Sequence, residues 1–100
     1  MKNSFEYKTP FDTYTVWIAK RFYDNGRLAL VLMDADGPIA TATVNIPEQA
    51  LGPDEVCIKT WSENEPMLAF LVENGIVQDT GNRAPAGFAE AAICKLLMFR

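Results

Sequence analysis

Asp12-Thr13-Tyr14-Thr15-Val16-Trp17-Ile18-Ala19-Lys20-Arg21-Phe22-Tyr23-Asp24, then Asn25-Gly26, then Arg27-Leu28-Ala29-Leu30-Val31-Leu32-Met33-Asp34, is the stretch whose reading decides the fold. The first arm is rich in β-branched and aromatic residues, with Tyr14, Val16, Ile18 and Phe22 on one face and Thr15, Trp17, Ala19 and Arg21 on the other. Asn25-Gly26 is a strong hairpin signal, because both central residues of a type I′ turn take positive φ. The return arm, Arg27 to Asp34, is apolar on both faces, with Leu28, Leu30 and Leu32 against Ala29, Val31 and Met33. It therefore reads as a central strand.

Working outward, Asp34-Ala35-Asp36-Gly37-Pro38 reads as a second turn, and Ile39 to Ile46 alternates like a half-buried strand that Pro47 ends. Pro47 to Asp54 reads as a loop and Glu55 to Thr60 as a short strand with Val56 and Ile58 inward. A short helix follows, with Ser62 as N-cap and Glu65 three residues on, or with Asn64 as cap and Pro66 in the first turn. Met67, Leu68, Phe70, Leu71 and Val72 supply its apolar stripe, and Asn74-Gly75 ends it. Gln78 to Gly87 reads as a loop carrying Gly81, Pro85 and Gly87. Residues 88–99 divide the signals: alanine content with Glu90 and Lys95 favours helix, while Phe88, Ala92, Cys94 and Leu96 also fit a strand face. The expectation is one α+β domain over 1–100: a curved antiparallel sheet of about five to six strands with one short helix packed on one face.

The 100 residues are 49% hydrophobic and 22% charged, as in a folded globular chain large enough for one core. Met1 to Tyr7 contains no apolar h-region, and Leu28 to Met33 is far shorter than the roughly twenty residues of a spanning helix, so the expectation is a cytoplasmic protein that binds no membrane. There is no histidine, which removes the commonest general base, the commonest zinc ligand and every Ser-His or Cys-His nucleophile. Cys57 and Cys94 sit among apolar residues and read as buried hydrophobes in a reducing compartment; a disulfide between neighbouring strands is the alternative. Ser62 is explained by capping. Thr80-Gly81-Asn82-Arg83 with Ala86-Gly87 lacks phosphate-loop spacing, and Asp34-x-Asp36-Gly37-Pro38 is too short for a calcium loop. The expectation is a protein with no catalytic residue, metal or cofactor.

Charge segregation is the informative feature. Residues 34–79 carry nine acidic side chains against Lys59 alone, a net −8, between two flanks of +2 each. If the turn at Asp34 and Asp36, the loop from Glu48 to Asp54 and Glu55, and the helix start at Glu63 and Glu65 come together, they form one anionic face. The competing reading is a solvated acidic surface that only keeps the chain soluble. Trp61, beside Glu63 and Glu65, belongs to a binding face on one reading and to the core under the helix on the other.

At Thr43-Val44-Asn45-Ile46, with Thr80-Gly81 and Gly87-Phe88 downstream, the chain resembles a family of small uncharacterised proteins carried on bacterial mobile elements, phages and plasmids. The likeness runs from about Tyr14 to Leu96. It implies a long hairpin, a Thr-Val-Asn strand, a short strand, a short helix, a Thr-Gly turn and a Gly-Phe segment leading into a final strand. Ala91, Ala92 and Cys94 stand where related sequences alternate aromatics. The resemblance implies no catalytic residues. It implies a gene travelling with phage or plasmid, whose small non-enzymatic products act on host defence or gene control. Joined to the charge layout, the expectation is an anti-CRISPR or anti-restriction inhibitor, a monomer or homodimer. It would place Asp34, Asp36, Glu48, Asp54, Glu55, Trp61, Glu63 and Glu65 on a basic nucleic-acid-binding surface of a host defence complex, without itself binding nucleic acid. Alternatives are an assembly protein that dimerises through a sheet edge, or a small-ligand module using the loop from Gln78 to Gly87.

Overall fold

The computed structural model describes residues 4–98, and of Glu63 the backbone alone. Seven strands and one helix follow in the order β1 (Phe5–Lys8), β2 (Thr13–Phe22), β3 (Leu28–Asp34), β4 (Gly37–Thr41), β5 (Glu55–Ile58), α1 (Met67–Glu73), β6 (Val77–Ala86) and β7 (Ala89–Leu96). All pairings are antiparallel, in a four-stranded sheet β1-β2-β3-β4 and a three-stranded sheet β5-β7-β6. The fold is α+β, with seven strands in two sheets.

Residues 42–44 join the two sheets. The Ala42 amide donates to Leu30 O at 2.8 Å, the Val44 amide to Cys57 O at 3.0 Å and the Lys59 amide to Ala42 O at 2.8 Å, around an isolated bridge between Thr43 and Ile58. Within the four-stranded sheet β2 pairs with β1 through Thr13–Val16 and with β3 through Trp17–Phe22. Met67, Phe70 and Leu71, spaced three and four apart on one helix face, enter a core with Phe5, Tyr7, Val16, Ile18, Leu30 and Leu32. Phe70 meets Tyr7 edge-on at 4.9 Å and Phe5 at 6.4 Å.

Several local expectations need correction. Neither Ser62 nor Asn64 caps α1. Ser62 opens a separate 3-10 turn (Ser62–Asn64) at φ 59°, and Pro66 holds the N-cap position of α1 with no side-chain bond. The Asn64 side chain is buried because its Nδ2 donates to Thr41 O at 2.7 Å, tying the turn to β4. The C-terminal stop is as expected: Gly75 at φ 71°, its amide bonded to Val72 O and the Ile76 amide to Leu71 O, closes a Schellman motif. Gln78 to Gly87 is not a loop. It is the edge strand β6, where Pro85 has no inner bond to lose and Gly81 at φ 87° marks the irregularity between Asp79 and Arg83. Of the expected loop only Gly87 lies outside the strand, in the Gly87-Phe88 turn that leads into β7.

Residues 89–96 are strand, against their helix propensity. β7 lies between β5 and β6 with both faces buried, Ala92, Cys94 and Leu96 in the main core and Ala91 and Ile93 in a second cluster with Ile46, Cys57 and Ala84. Small side chains suit a strand packed from both sides, and this context overrides propensity. Phe99 lies outside the described residues. Asn25-Gly26 does turn the first hairpin, but as a three-residue loop. The Gly26 amide donates to Tyr23 O and the Tyr23 amide to Arg27 O, and only Gly26 takes positive φ. No described helix is long and apolar enough to cross a membrane.

Candidate functional site

β3 divides the acidic residues. Its seven residues span about 20 Å, with the Asp34/Asp36 turn at one end and Arg27 at the other. The Arg27 guanidinium donates to Ile46 O at 2.6 Å and Gln49 O at 2.5 Å, which fastens the loop that carries Glu48 to the far end of the strand. Asp54 and Glu55 share that end, beside Phe22, Gly26 and Arg27. The structure therefore does not bring the eight residues onto one face.

At the Arg27 end, charge is largely used inside the molecule. Asp54 pairs with Lys95 at 3.8 Å, and the Glu55 carboxylate accepts the Gly52 amide at 2.7 Å. Glu48 is exposed. Asp79, on β6, is likewise engaged. Its two oxygens take Arg83 at 3.0 and 3.1 Å and one takes the Gly81 amide, so the Arg83 guanidinium holds its carboxyl below the ordinary carboxylate value.

At the opposite end lies a cleft of about 760 Å³ between the β1–β2 hairpin, β4 and the turn before α1. Tyr7, at 2% exposure, closes its floor; Tyr14 and Ile39 form walls, and Pro66 and Glu65 a rim. Phe11 stands at its mouth at 95% exposure, on a tip that is tightly bonded. The Thr9 amide and hydroxyl both donate to Asp12 O, at 2.8 and 3.1 Å, while Thr9 Oγ1 accepts the Phe11 and Asp12 amides. The Asp34/Asp36 turn leads into the same wall, Ile39 following Asp36 by three residues. Asp34 Oδ1 accepts the Asp36 amide at 2.9 Å; among the described residues no cation pairs with Asp34, Asp36 or Glu65. Lys8 pairs with Thr13 and closes the tip of the hairpin. The Glu63 side chain lies outside the described residues.

Trp61 is half-buried, but it packs against the second cluster and not beneath α1, with Lys59 Nζ 5.9 Å from its ring centroid. Cys57 and Cys94 are free and project to opposite faces: Cys94 pairs with Val56 in register and Cys57 with Ile93, which excludes a disulfide between them. Burial pushes the Cys94 thiol up to about 12, with Asp79 adding to the shift, and raises Cys57 as well, so neither offers a thiolate near neutrality.

No histidine, cysteine or carboxylate cluster of the kind that holds a metal ion occurs among the described residues. Sequence reasoning missed Phe11 and the cleft. The available signal was Thr9-Pro10-Phe11-Asp12, an aromatic residue set between turn formers, where burial is not its purpose. No family model, curated protein or solved structure matches the chain.

Proposed function

We propose that this chain is a small non-enzymatic protein-binding protein of a mobile element, acting in the host cytoplasm as an inhibitor of a CRISPR or restriction complex. Its contact surface is the cleft end, and it docks there on a basic surface that otherwise holds nucleic acid. The observation that carries this reading is the company that Asp34, Asp36 and Glu65 keep: carboxylates that pair with no cation among the described residues, beside a hydrogen-bonded tip that holds Phe11 in water. Carboxylates on such a surface take the place of phosphates and raise the encounter rate, and an exposed aromatic supplies the apolar anchor that charge alone lacks.

A test uses guide-loaded CRISPR effectors and a type I restriction complex, with target-DNA binding followed by gel shift. Tenfold molar excess of the protein is expected to abolish binding by at least one complex at 0.1 M salt and less so at 0.5 M salt. The double variant Asp36→Lys/Glu65→Lys should restore it. Unchanged DNA binding throughout, or inhibition that survives the double variant, overturns the reading.

Dimerisation through a sheet edge is favoured by one feature, the ten-residue edge strand β6. Pro85, the irregularity at Gly81 and the Asp79–Arg83 pair are the devices that blunt such an edge. Light scattering over a hundredfold concentration range separates the two, since a constant monomer mass rules out the dimer.

A further inference from the structure

We propose that the cleft is a receptor for a single arginine side chain of the partner, an inference that rests on the docking reading above and gives it a chemical anchor. Three aromatic side chains and one carboxylate meet there: Tyr7 at the floor, Tyr14 in the wall, Phe11 at the mouth and Glu65 on the rim. An apolar, aromatic-lined cleft with a carboxylate at its edge suits guanidinium better than other side chains. Guanidinium is planar and weakly hydrated, so its faces stack on rings while its N–H edge reaches a carboxylate. An ammonium group is more strongly hydrated and has no plane to insert, and an uncharged aliphatic chain leaves Glu65 unanswered. Basic nucleic-acid-binding surfaces are where exposed arginines concentrate, so ligand and partner agree in charge.

The receptor is largely preformed. The Thr9 hydroxyl and backbone bonds fix the hairpin tip, and the bond from Asn64 to Thr41 O fixes the opposite rim at 2.7 Å. Binding then orders little that is not already ordered. Phe11, 95% exposed at the mouth, is the ring that an inserted side chain meets first.

The experiment is a titration of the ¹⁵N-labelled protein with acetyl-Gly-Arg-Gly-amide, and with its lysine and norleucine counterparts. The arginine peptide is expected to shift the amides of Thr9, Phe11, Ile39 and Glu65 with a dissociation constant of about 1 mM. The lysine peptide should bind at least threefold more weakly, and the norleucine peptide should leave these amides in place. Phe11→Ala and Glu65→Gln, both exposed positions, should each weaken the arginine peptide at least threefold, while Glu48→Gln leaves it unchanged. Equal shifts from norleucine, shifts confined to the Asp34/Asp36 turn, or no shift at 20 mM overturn the proposal. So does unchanged affinity in spectra of Phe11→Ala and Glu65→Gln that remain well dispersed. This outcome is independent of the docking reading: inhibition lost in Asp36→Lys/Glu65→Lys but intact in Phe11→Ala and Glu65→Gln removes the receptor and leaves the acidic dock. Arginine binding without inhibition of any complex does the reverse.

Discussion

Both ends of β3 carry charged side chains and treat most of them differently. At the Arg27 end, cation and carboxylates are tied to backbone and to one another: Arg27 to Ile46 and Gln49, Asp54 to Lys95, Glu55 to Gly52. At the cleft end, Glu65 and Asp36 face water, and the hydrogen bonds of the Thr9–Asp12 tip hold an aromatic ring out of the core. The same residue types are structural where they are answered internally and available to a partner where they are not. Net charge along the sequence does not distinguish the two cases; partners in space do.

The sharpest way to break this contrast is to reverse charge at one end and then at the other. Asp36→Lys/Glu65→Lys should weaken inhibition of the target complex by a hundredfold or more, about 3 kcal/mol at an interface with several charge pairs, while urea denaturation moves by less than about 0.5 kcal/mol. Glu48→Lys at the far end should leave inhibition within twofold. If both reversals act equally, the ends are not functionally distinct.

Arg27→Ala is the complementary perturbation. It removes two charge-assisted bonds from a half-buried guanidinium to loop carbonyls, and should cost about 2 kcal/mol in urea denaturation with inhibition at saturating protein unchanged. A well-dispersed, stable Arg27→Ala protein that no longer inhibits would move the functional surface to the far end.

The Cys94 prediction concerns the central strand of the three-stranded sheet, away from both ends of β3. Its folded pKa is raised, so its contribution to stability is whole below the unfolded thiol value of 9.0 and is lost as pH climbs towards about 12. Cys94→Ala should flatten the fall in stability above pH 9, measured by urea denaturation at stepped pH. Below pH 8, iodoacetamide should label neither cysteine until the protein unfolds. Rapid labelling of the native protein would contradict the burial.

The smallest effect is expected at Asp79→Asn. Hydrogen bonding from Arg83 and Gly81 lowers the Asp79 folded pKa, so its contribution is present above the ordinary 3.8 and fades as pH falls below it. Exposure of the ion pair holds the change at pH 7 to a few tenths of a kcal/mol. Thermal melts at pH 7 and pH 3 should therefore converge for wild type and variant at the lower pH.

Much of the fold was legible where one periodicity ran unopposed. The first hairpin and the glycine stop of α1 follow from alternation and turn chemistry in residues 12–34 and 67–75, whereas the strand expected over Ile39 to Ile46 is β4 only over Gly37–Thr41, because residues 42–44 leave it to bond with β5. The final hairpin was harder to read because its two strands break local rules for opposite reasons. β6 tolerates Gly81 and Pro85 because it is an edge, and β7 uses alanines because it is packed from both sides. Edge and centre are properties of neighbours that lie elsewhere in the chain. The site was legible as charge but not as place: Asp34, Asp36 and Glu65 separate from Glu48, Asp54 and Glu55 only once Arg27 draws residues 46–49 to the far end of β3. Phe11 is marked only by the turn formers around it, because an exposed aromatic breaks no periodicity.

The double burial of β7 has a consequence for how the chain finds its alignment. A strand with one wet face is self-indexing, since sliding it by one position puts apolar groups in water. Along its middle β7 has no such index: exchanging Ala91 and Ile93 for Ala92 and Cys94 would bury apolar atoms either way, and only exposed Glu90 and Lys95 near its ends resist a slip. Much of its alignment is therefore set at and beyond those ends. Gly87 at φ 68° fixes the crossing into it, Arg83 and Asp79 clasp each other across the interruption in β6, and the Leu96 amide is caught by Asp54 O at 2.7 Å. Those three fasteners act together as the vernier of the sheet, and loosening them jointly would favour out-of-step isomers of the hairpin ahead of global unfolding.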